Sequence, residues 1–180
     1  DENFNQNEFL IKSKQMLKLL NKCKFSVSND ETRHYLSGIY LHQTEVDGKN
    51  YLTAVATDSH RMSISKIRLP EKIDFEPVIL PKKTIFQLCS LLDNYDGDVK
   101  VSNIKSKIKF EINNSILISK LIDGKFPNYI QVIPKNNQKK LEIELKDFLN
   151  SVDRVASVSL DKKDGVKFNL TKDKLNLSVN

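Results

Sequence analysis

Apolar positions follow two rhythms along this chain, one of period two and one of helical spacing, and the order in which they alternate repeats. Glu8 to Ile11 reads as a short strand, Ser13 stands where a helix N-cap would, and Met16, Leu17, Leu20 and Cys23 follow at helical spacing. Three strand patterns come next, at Tyr35 to His42, Tyr51 to Thr57 and Arg61 to Ile67, with an Asp47-Gly48 turn signal between the first two. The unit is therefore strand, helix, three strands. It starts again at Val78 to Leu80, where Pro81 takes the first helical position and Ile85, Leu88, Cys89 and Leu92 mark the apolar face. Val99 and Val101 open the next strand, Ile108, Phe110 and Ile112 alternate with charged residues in the second, and Ser115 to Leu121 forms the third.

A third unit follows the polar stretch Lys135 to Lys140. Leu141, Ile143 and Leu145 alternate as its first strand, and Phe148, Leu149, Val152, Val155 and Ala156 are its helix face. Only two strand patterns come after that helix, Val166 to Leu170 and Leu175 to Val179. The expected fold is α+β, with duplicated β-α-β-β-β units and helices on one face of antiparallel sheets. Residues 1–7 read as a linker, 8–135 as one domain of two units, and 136–180 as an incomplete further domain. An unpaired sheet edge at the end of the chain would be an aggregation hazard, so the expectation is an excerpt of a longer protein.

Composition narrows the possibilities. The 180 residues carry 29 Lys and Arg against 23 Asp and Glu, a net charge of +6, which makes a polyanion the first partner to consider. No apolar run nears the roughly 18 residues of a membrane span, and the N-terminal residues lack a signal peptide's basic and apolar parts, so a cytoplasmic location is expected. The two cysteines, Cys23 and Cys89, can build neither a disulfide framework nor a metal clip, and both read as buried reduced thiols. His34, His42 and His60 have no metal-ligand spacing, and five scattered glycines provide no phosphate loop, so neither a metal nor a cofactor is expected.

Lys14, Lys18 and Lys22 recur every fourth residue along the first helix, opposite its apolar stripe and with no acidic residue among them. The face should repel itself unless an outside anion compensates. Lys82 and Lys83 open the second helix, where the helix dipole disfavours cations. Equivalent helices side by side would offer a broad basic surface for phosphates without base readout, and no aromatic platform of the single-strand-binding kind is evident. Ser59 and His60 suggest a hydrolase as the alternative function. Neighbouring residues on an extended chain point to opposite faces, so they would not form a nucleophile pair, and no G-x-S-x-G elbow surrounds them.

Four ordered segments carry a family resemblance: Arg33-His34-Tyr35-Leu36-Ser37-Gly38, Ala54 to Met62 through Thr57-Asp58-Ser59-His60-Arg61, Val78 to Lys83, and Ser119 to Tyr129 through Asp123-Gly124-Lys125-Phe126-Pro127. The chain strongly resembles the bacterial DNA polymerase III beta subunits, the sliding clamps. The resemblance implies a non-enzymatic processivity factor, in which three domains of paired units per chain close head to tail as a homodimeric ring around duplex DNA. This chain would be the linker, the middle domain and the start of the third, and would not close a ring alone. The implied partners are double-stranded DNA, the polymerase III alpha subunit, the clamp-loader delta subunit, and other polymerases or repair proteins bearing clamp-binding peptides.

Two sites are implied with it. Lys14, Lys18, Lys22, Arg33, His34, Tyr35, Lys82, Lys83 and Lys135 would face DNA. Leu36, Thr57, His60, Arg61, Met62, Pro127 and Val132 would line a groove for a short extended peptide. Met62 stands where leucine is usual and Gln131 where arginine is usual. Ser59 replaces a glycine, from which a negative φ is expected at that position.

Overall fold

The computed structural model describes residues 4, 8–159 and 165–179. Phe9 and Ile11 point inward from β1 (Glu8–Lys12) while Glu8, Leu10 and Lys12 point out, as period-two alternation requires. α1 (Ser13–Asn21) buries Met16, Leu19 and Leu20, and Leu17 packs partly against them. Ser13 is not the N-cap. Lys12 holds that position, and the Ser13 hydroxyl instead donates to the Tyr95 carbonyl at 2.6 Å, tying the start of α1 to the turn after the second helix. Cys23 lies just past the end of α1, with its thiol 3.4 Å from the Ala54 carbonyl oxygen.

The first unit continues with β2 (Gly38–Val46), β3 (Lys49–Thr57) and β4 (Met62–Arg68). Tyr35 and Leu36 do not begin a strand. They close a 3-10 segment, Glu31–Leu36, because the Asp30 carboxylate caps the Thr32 N–H and holds the chain in a local turn before it can extend. The second unit has the same order: β5 (Val78–Pro81), α2 (Lys82–Leu92), β6 (Asp98–Ile104), β7 (Lys107–Ile112) and β8 (Ser115–Lys120). Pro81 is the N-cap of α2 and the last residue of β5, one position earlier than its spacing suggests.

The strands assort into two antiparallel four-stranded sheets, β1-β6-β7-β8 and β4-β3-β2-β5. Each unit keeps its last three strands together and lends its first strand to the other unit's sheet. Neither unit is complete without its sibling. α1 and α2 pack against each other, and one apolar cluster joins Met16, Leu20, Ile85 and Leu88 of the helices to Leu41, Leu52, Val101, Ile108 and Phe110 of the two sheets.

The chain divides into two compact units, the boundary falling between Asn128 and Tyr129. The second holds a 3-10 turn (Tyr129–Val132), α3 (Leu145–Ala156) and a two-stranded sheet of β9 (Lys167–Leu170) and β10 (Leu175–Ser178). The strand expected at Leu141, Ile143 and Leu145 is absent. Residues 141–144 have no ladder partner among the described residues, and Leu145 already belongs to α3. The exchanged pairing of the first two units explains this, since a leading strand finds its partner in a sibling unit.

Candidate functional site: a loop cluster and a basic helix face

Three segments meet around the start of β2 and the β3–β4 turn. Thr57 ends β3 opposite Met62, which opens β4. Between them the chain turns tightly: the Thr57 hydroxyl donates to the Arg61 carbonyl at 2.8 Å and accepts from the Ser59 N–H at 3.1 Å. One Asp58 carboxylate oxygen accepts the N–H groups of His60 and Arg61, both at 3.0 Å, and the other accepts the Arg61 Nε–H at 3.1 Å. Burial raises the Asp58 carboxyl, but those backbone donors and the Arg61 guanidinium outweigh it and hold the group below the usual carboxylate range. The segment is thus a pinned turn rather than an extended chain.

Ser59 adopts φ +78°, contrary to the expectation of a negative φ. A serine tolerates this left-handed conformation here because the Asp58 and Thr57 bonds close the turn on both sides. Its hydroxyl accepts a hydrogen bond from Arg33 Nη1, so it faces a cation that draws electron density away from the oxygen. Arg33 Nε donates to Asp30 at 2.8 Å. The Thr32 hydroxyl, Arg33 and the Thr32 N–H together pull the Asp30 carboxyl down to about 2. Asp30 and Asp58, neither of them among the expected site residues, therefore build this corner, and the Asp-x-Thr spacing of residues 30–32 is the signal that could have found the first.

The third segment is the loop of residues 121–128. The Ile122 N–H donates to the Ile79 carbonyl at 3.0 Å, His34 Nε2 lies 3.2 Å from the Asp123 carbonyl oxygen, and the Phe126 ring stacks on Tyr40 at 4.8 Å with planes 4° apart. Gly124, at φ +147°, passes so close that an added Cβ would lie 3.3 Å from the Tyr35 Cβ. Pro127 follows Phe126 in this loop and is exposed. Six of the seven groove candidates therefore lie on three linked segments: Leu36 is buried, Thr57 and Met62 are half-buried, and His60, Arg61 and Pro127 are exposed. Val132 belongs to the second unit and is 69% exposed, and Gln131 beside it is exposed.

The helix face is basic but less bare than its sequence suggests. Lys14, Lys18 and Lys22 are all exposed, yet Lys14 pairs with Asp96 at 2.6 Å and Lys12 with Asp98 at 2.9 Å. The compensating acids, Asp96 in the turn after α2 and Asp98 at the start of β6, are a tertiary arrangement that spacing along α1 could not reveal. Lys82 donates to the Asn29 side-chain carbonyl and has no acidic partner among the described residues, and Lys83 and Lys135 are exposed. Cys23 and Cys89 are free and buried, and burial pushes the Cys23 thiol up to about 11.

Comparison with known proteins bears on all of this. The profile for the DNA polymerase III beta subunit, central domain, matches residues 10–128, and that for the C-terminal domain matches residues 130–180. The beta sliding clamp of Rickettsia bellii is 40% identical over 175 residues, covering 95% of this chain and 45% of its own length. That of Caulobacter vibrioides is 36% identical over 170 residues, covering 94% and 46%. A crystal structure of a sliding clamp from Bartonella birtlesii, bound to griselimycin, superposes with a TM-score of 0.90 at 36% identity, over 98% of this chain and 48% of that one. A Caulobacter crescentus clamp gives 0.92 at 33% identity, over 100% and 49%. The chain thus spans about half the length of the relatives it matches. With the repeat, the exchanged strands and both profiles in agreement, this chain belongs to the DNA polymerase III beta subunit family.

Proposed function

We propose that the protein containing this chain is a sliding clamp: a non-enzymatic processivity factor that acts in the cytoplasm, encircles duplex DNA as a head-to-tail homodimer and tethers polymerases to it. In this reading residues 1–7 lead from a preceding domain, 8–135 are the middle clamp domain and 136–180 begin the third. The observation that carries it is the match of central-domain and C-terminal-domain profiles, in that order and without a gap of more than one residue, across residues 10–180. The hydrolase alternative has no support, and the Ser59 hydroxyl already accepts from Arg33.

Lys14, Lys18, Lys22, Lys82, Lys83 and Lys135, with Arg33, His34 and Tyr35, are the proposed DNA-facing residues. Exposed lysines meeting phosphates suit sliding, because the attraction is sequence-blind. Leu36, Thr57, His60, Arg61, Met62, Pro127 and Val132 are the proposed peptide groove. Met62, Pro127 and Val132 supply apolar contact, Thr57 and the pinned turn supply rigidity, and Arg61 supplies a donor. The polymerase III alpha subunit and the clamp-loader delta subunit are the proposed sources of the peptide.

Arg61→Ala and Met62→Ala test the groove better than Leu36→Ala, since Leu36 is only 4% exposed and its loss would also open a cavity. Anisotropy with a fluorescent clamp-binding peptide should show each variant losing about tenfold in affinity, the effect of one good anchoring side chain. Unchanged affinity in both rejects the groove. For the helix face, Lys18→Glu with Lys22→Glu should flatten the salt dependence of duplex binding by about one unit of slope for each phosphate that is no longer neutralised. An unchanged slope means those lysines do not meet DNA.

A further inference from the structure

Two phenylalanines are more exposed than their surroundings explain. Phe25 follows α1 and is 58% exposed, and Phe86 lies on α2 and is 49% exposed. Single exposed apolar residues are common on protein surfaces. These two are distinguished by what covers them: Arg61 lies over the Phe25 ring at 5.7 Å, and Lys24 lies over the Phe86 ring at 5.6 Å. Because Lys24 and Phe25 are consecutive, the four side chains form one strip in the order Arg61, Phe25, Lys24, Phe86. Cation and aromatic alternate along it.

The strip continues into the basic face. Phe86 is three residues past Lys83 and four past Lys82, so the three share one stripe of α2, with Phe86 and Lys83 exposed and Lys82 half-buried, away from the buried Ile85, Leu88 and Leu92. Among nearby acids, Asp58 partly neutralises Arg61, and Asp93 lies past the end of α2, close enough to affect the Cys89 thiol. Lys24 and Lys83 have no acidic partner among the described residues. Sequence alone shows no aromatic platform, because Phe25 and Phe86 are 61 positions apart and only the tertiary contact of Lys24 with Phe86 brings the second ring beside the first.

We propose that this strip binds single-stranded nucleic acid, with unstacked bases lying on Phe25 and Phe86 and the intervening phosphates taken by Lys24, Lys83 and Arg61. A single strand alternates base and phosphate as the strip alternates ring and cation. Duplex DNA keeps its bases stacked inside and could use only the cations. The site shares Lys83 with the duplex reading and Arg61 with the peptide groove, whereas neither ring nor Lys24 is assigned to either, so the ring variants separate the readings.

The test is fluorescence anisotropy with a labelled oligothymidylate and, in parallel, a duplex of equal nucleotide count and the clamp-binding peptide. Phe86→Ala and Phe25→Ala should each weaken oligothymidylate binding about tenfold, as expected when one base stack is removed, while duplex affinity stays within about twofold. Phe86→Tyr keeps a π face and should retain binding, whereas Phe86→Leu keeps the apolar bulk and should lose it. Phe86→Ala should also leave peptide affinity unchanged, so a failed groove would not be mistaken for a failed strip. Equal weakening on single strand and duplex, or none in either alanine variant, overturns the proposal. It is also overturned if the variants lower only thermal stability, or if an acidic aromatic peptide binds the rings and oligothymidylate does not.

Discussion

Two residues hold conformations or charge states that their neighbours impose. Ser59 at φ +78° is stable only as part of the Asp58–Arg61 turn, and its side chain answers Arg33. A Cβ branch there would meet the backbone as well, so Ser59→Val should cost about 1–2 kcal/mol more than Ser59→Ala. In Ser59→Gly the relief of strain and the added freedom of the unfolded chain nearly cancel, so its urea unfolding curve should stay within about 1 kcal/mol of the parent. His42 shows the second kind of control. Buried on β2 beside Tyr40, with Nδ1 3.3 Å from the Thr53 carbonyl oxygen, it is pulled from 6.5 down to about 4, by burial first and by the Lys66 charge second. The unfolded chain therefore takes up a proton below about pH 6.5 that the folded chain refuses until about pH 4. Stability is full above that window and declines through it as pH falls. Urea midpoints measured across the window should show the decline in the parent and a flatter course in His42→Gln; equal slopes would mean that His42 titrates normally.

At the scale of elements, the exchange of first strands makes the β2–β5 and β1–β6 seams the joints of the fold. Gly38 sits at one of them, and a Cβ there would run into the Leu80 carbonyl oxygen. The obstacle is backbone and cannot rotate away. Gly38→Ala should therefore cost about 1–3 kcal/mol, the range of overpacking, read as a lower denaturant midpoint. Burial separates the sheet faces as sharply. Phe110 on β7 is fully buried, whereas Ile116 on β8 is 64% exposed. Phe110→Ala should cost about 3–5 kcal/mol and Ile116→Ala less than about 0.5. Comparable costs from both would contradict this assignment of faces. The same exchange accounts for the missing strand at residues 141–144: alternation marks a sequence able to be a strand, but a ladder needs a second edge.

For the whole molecule, the two units should differ in local stability. α3 has no buried residue, and Leu145, Leu149, Val158, Phe168 and Leu170 are all at least 49% exposed. Native-state hydrogen exchange should show strong protection across β2, β3, β6 and β7 and much weaker protection across α3, β9 and β10; uniform protection would refute this. Much of the architecture is legible in the residues themselves. The order of elements through residue 120 follows from period-two and helical spacing, because each element must turn one apolar face inward. The groove candidates come from motif likeness, and their coherence was invisible in the sequence, since Arg33 meets Ser59, and Tyr40 meets Phe126, across long stretches of chain. Local pattern alone determined the order of helices and strands through residue 120 and that it repeats, though not the 3-10 segment at Glu31–Leu36 or the loss of a strand at residues 141–144. Tertiary structure alone decided that siblings exchange first strands, that Asp96 neutralises Lys14, that Ser59 turns left-handed, and that Lys24 lies over the Phe86 ring. The physical reason is range. Backbone sterics and hydrophobic periodicity act over a few residues and can be read in order, whereas pairing of edges, charges and rings depends on which distant groups the packed core brings together.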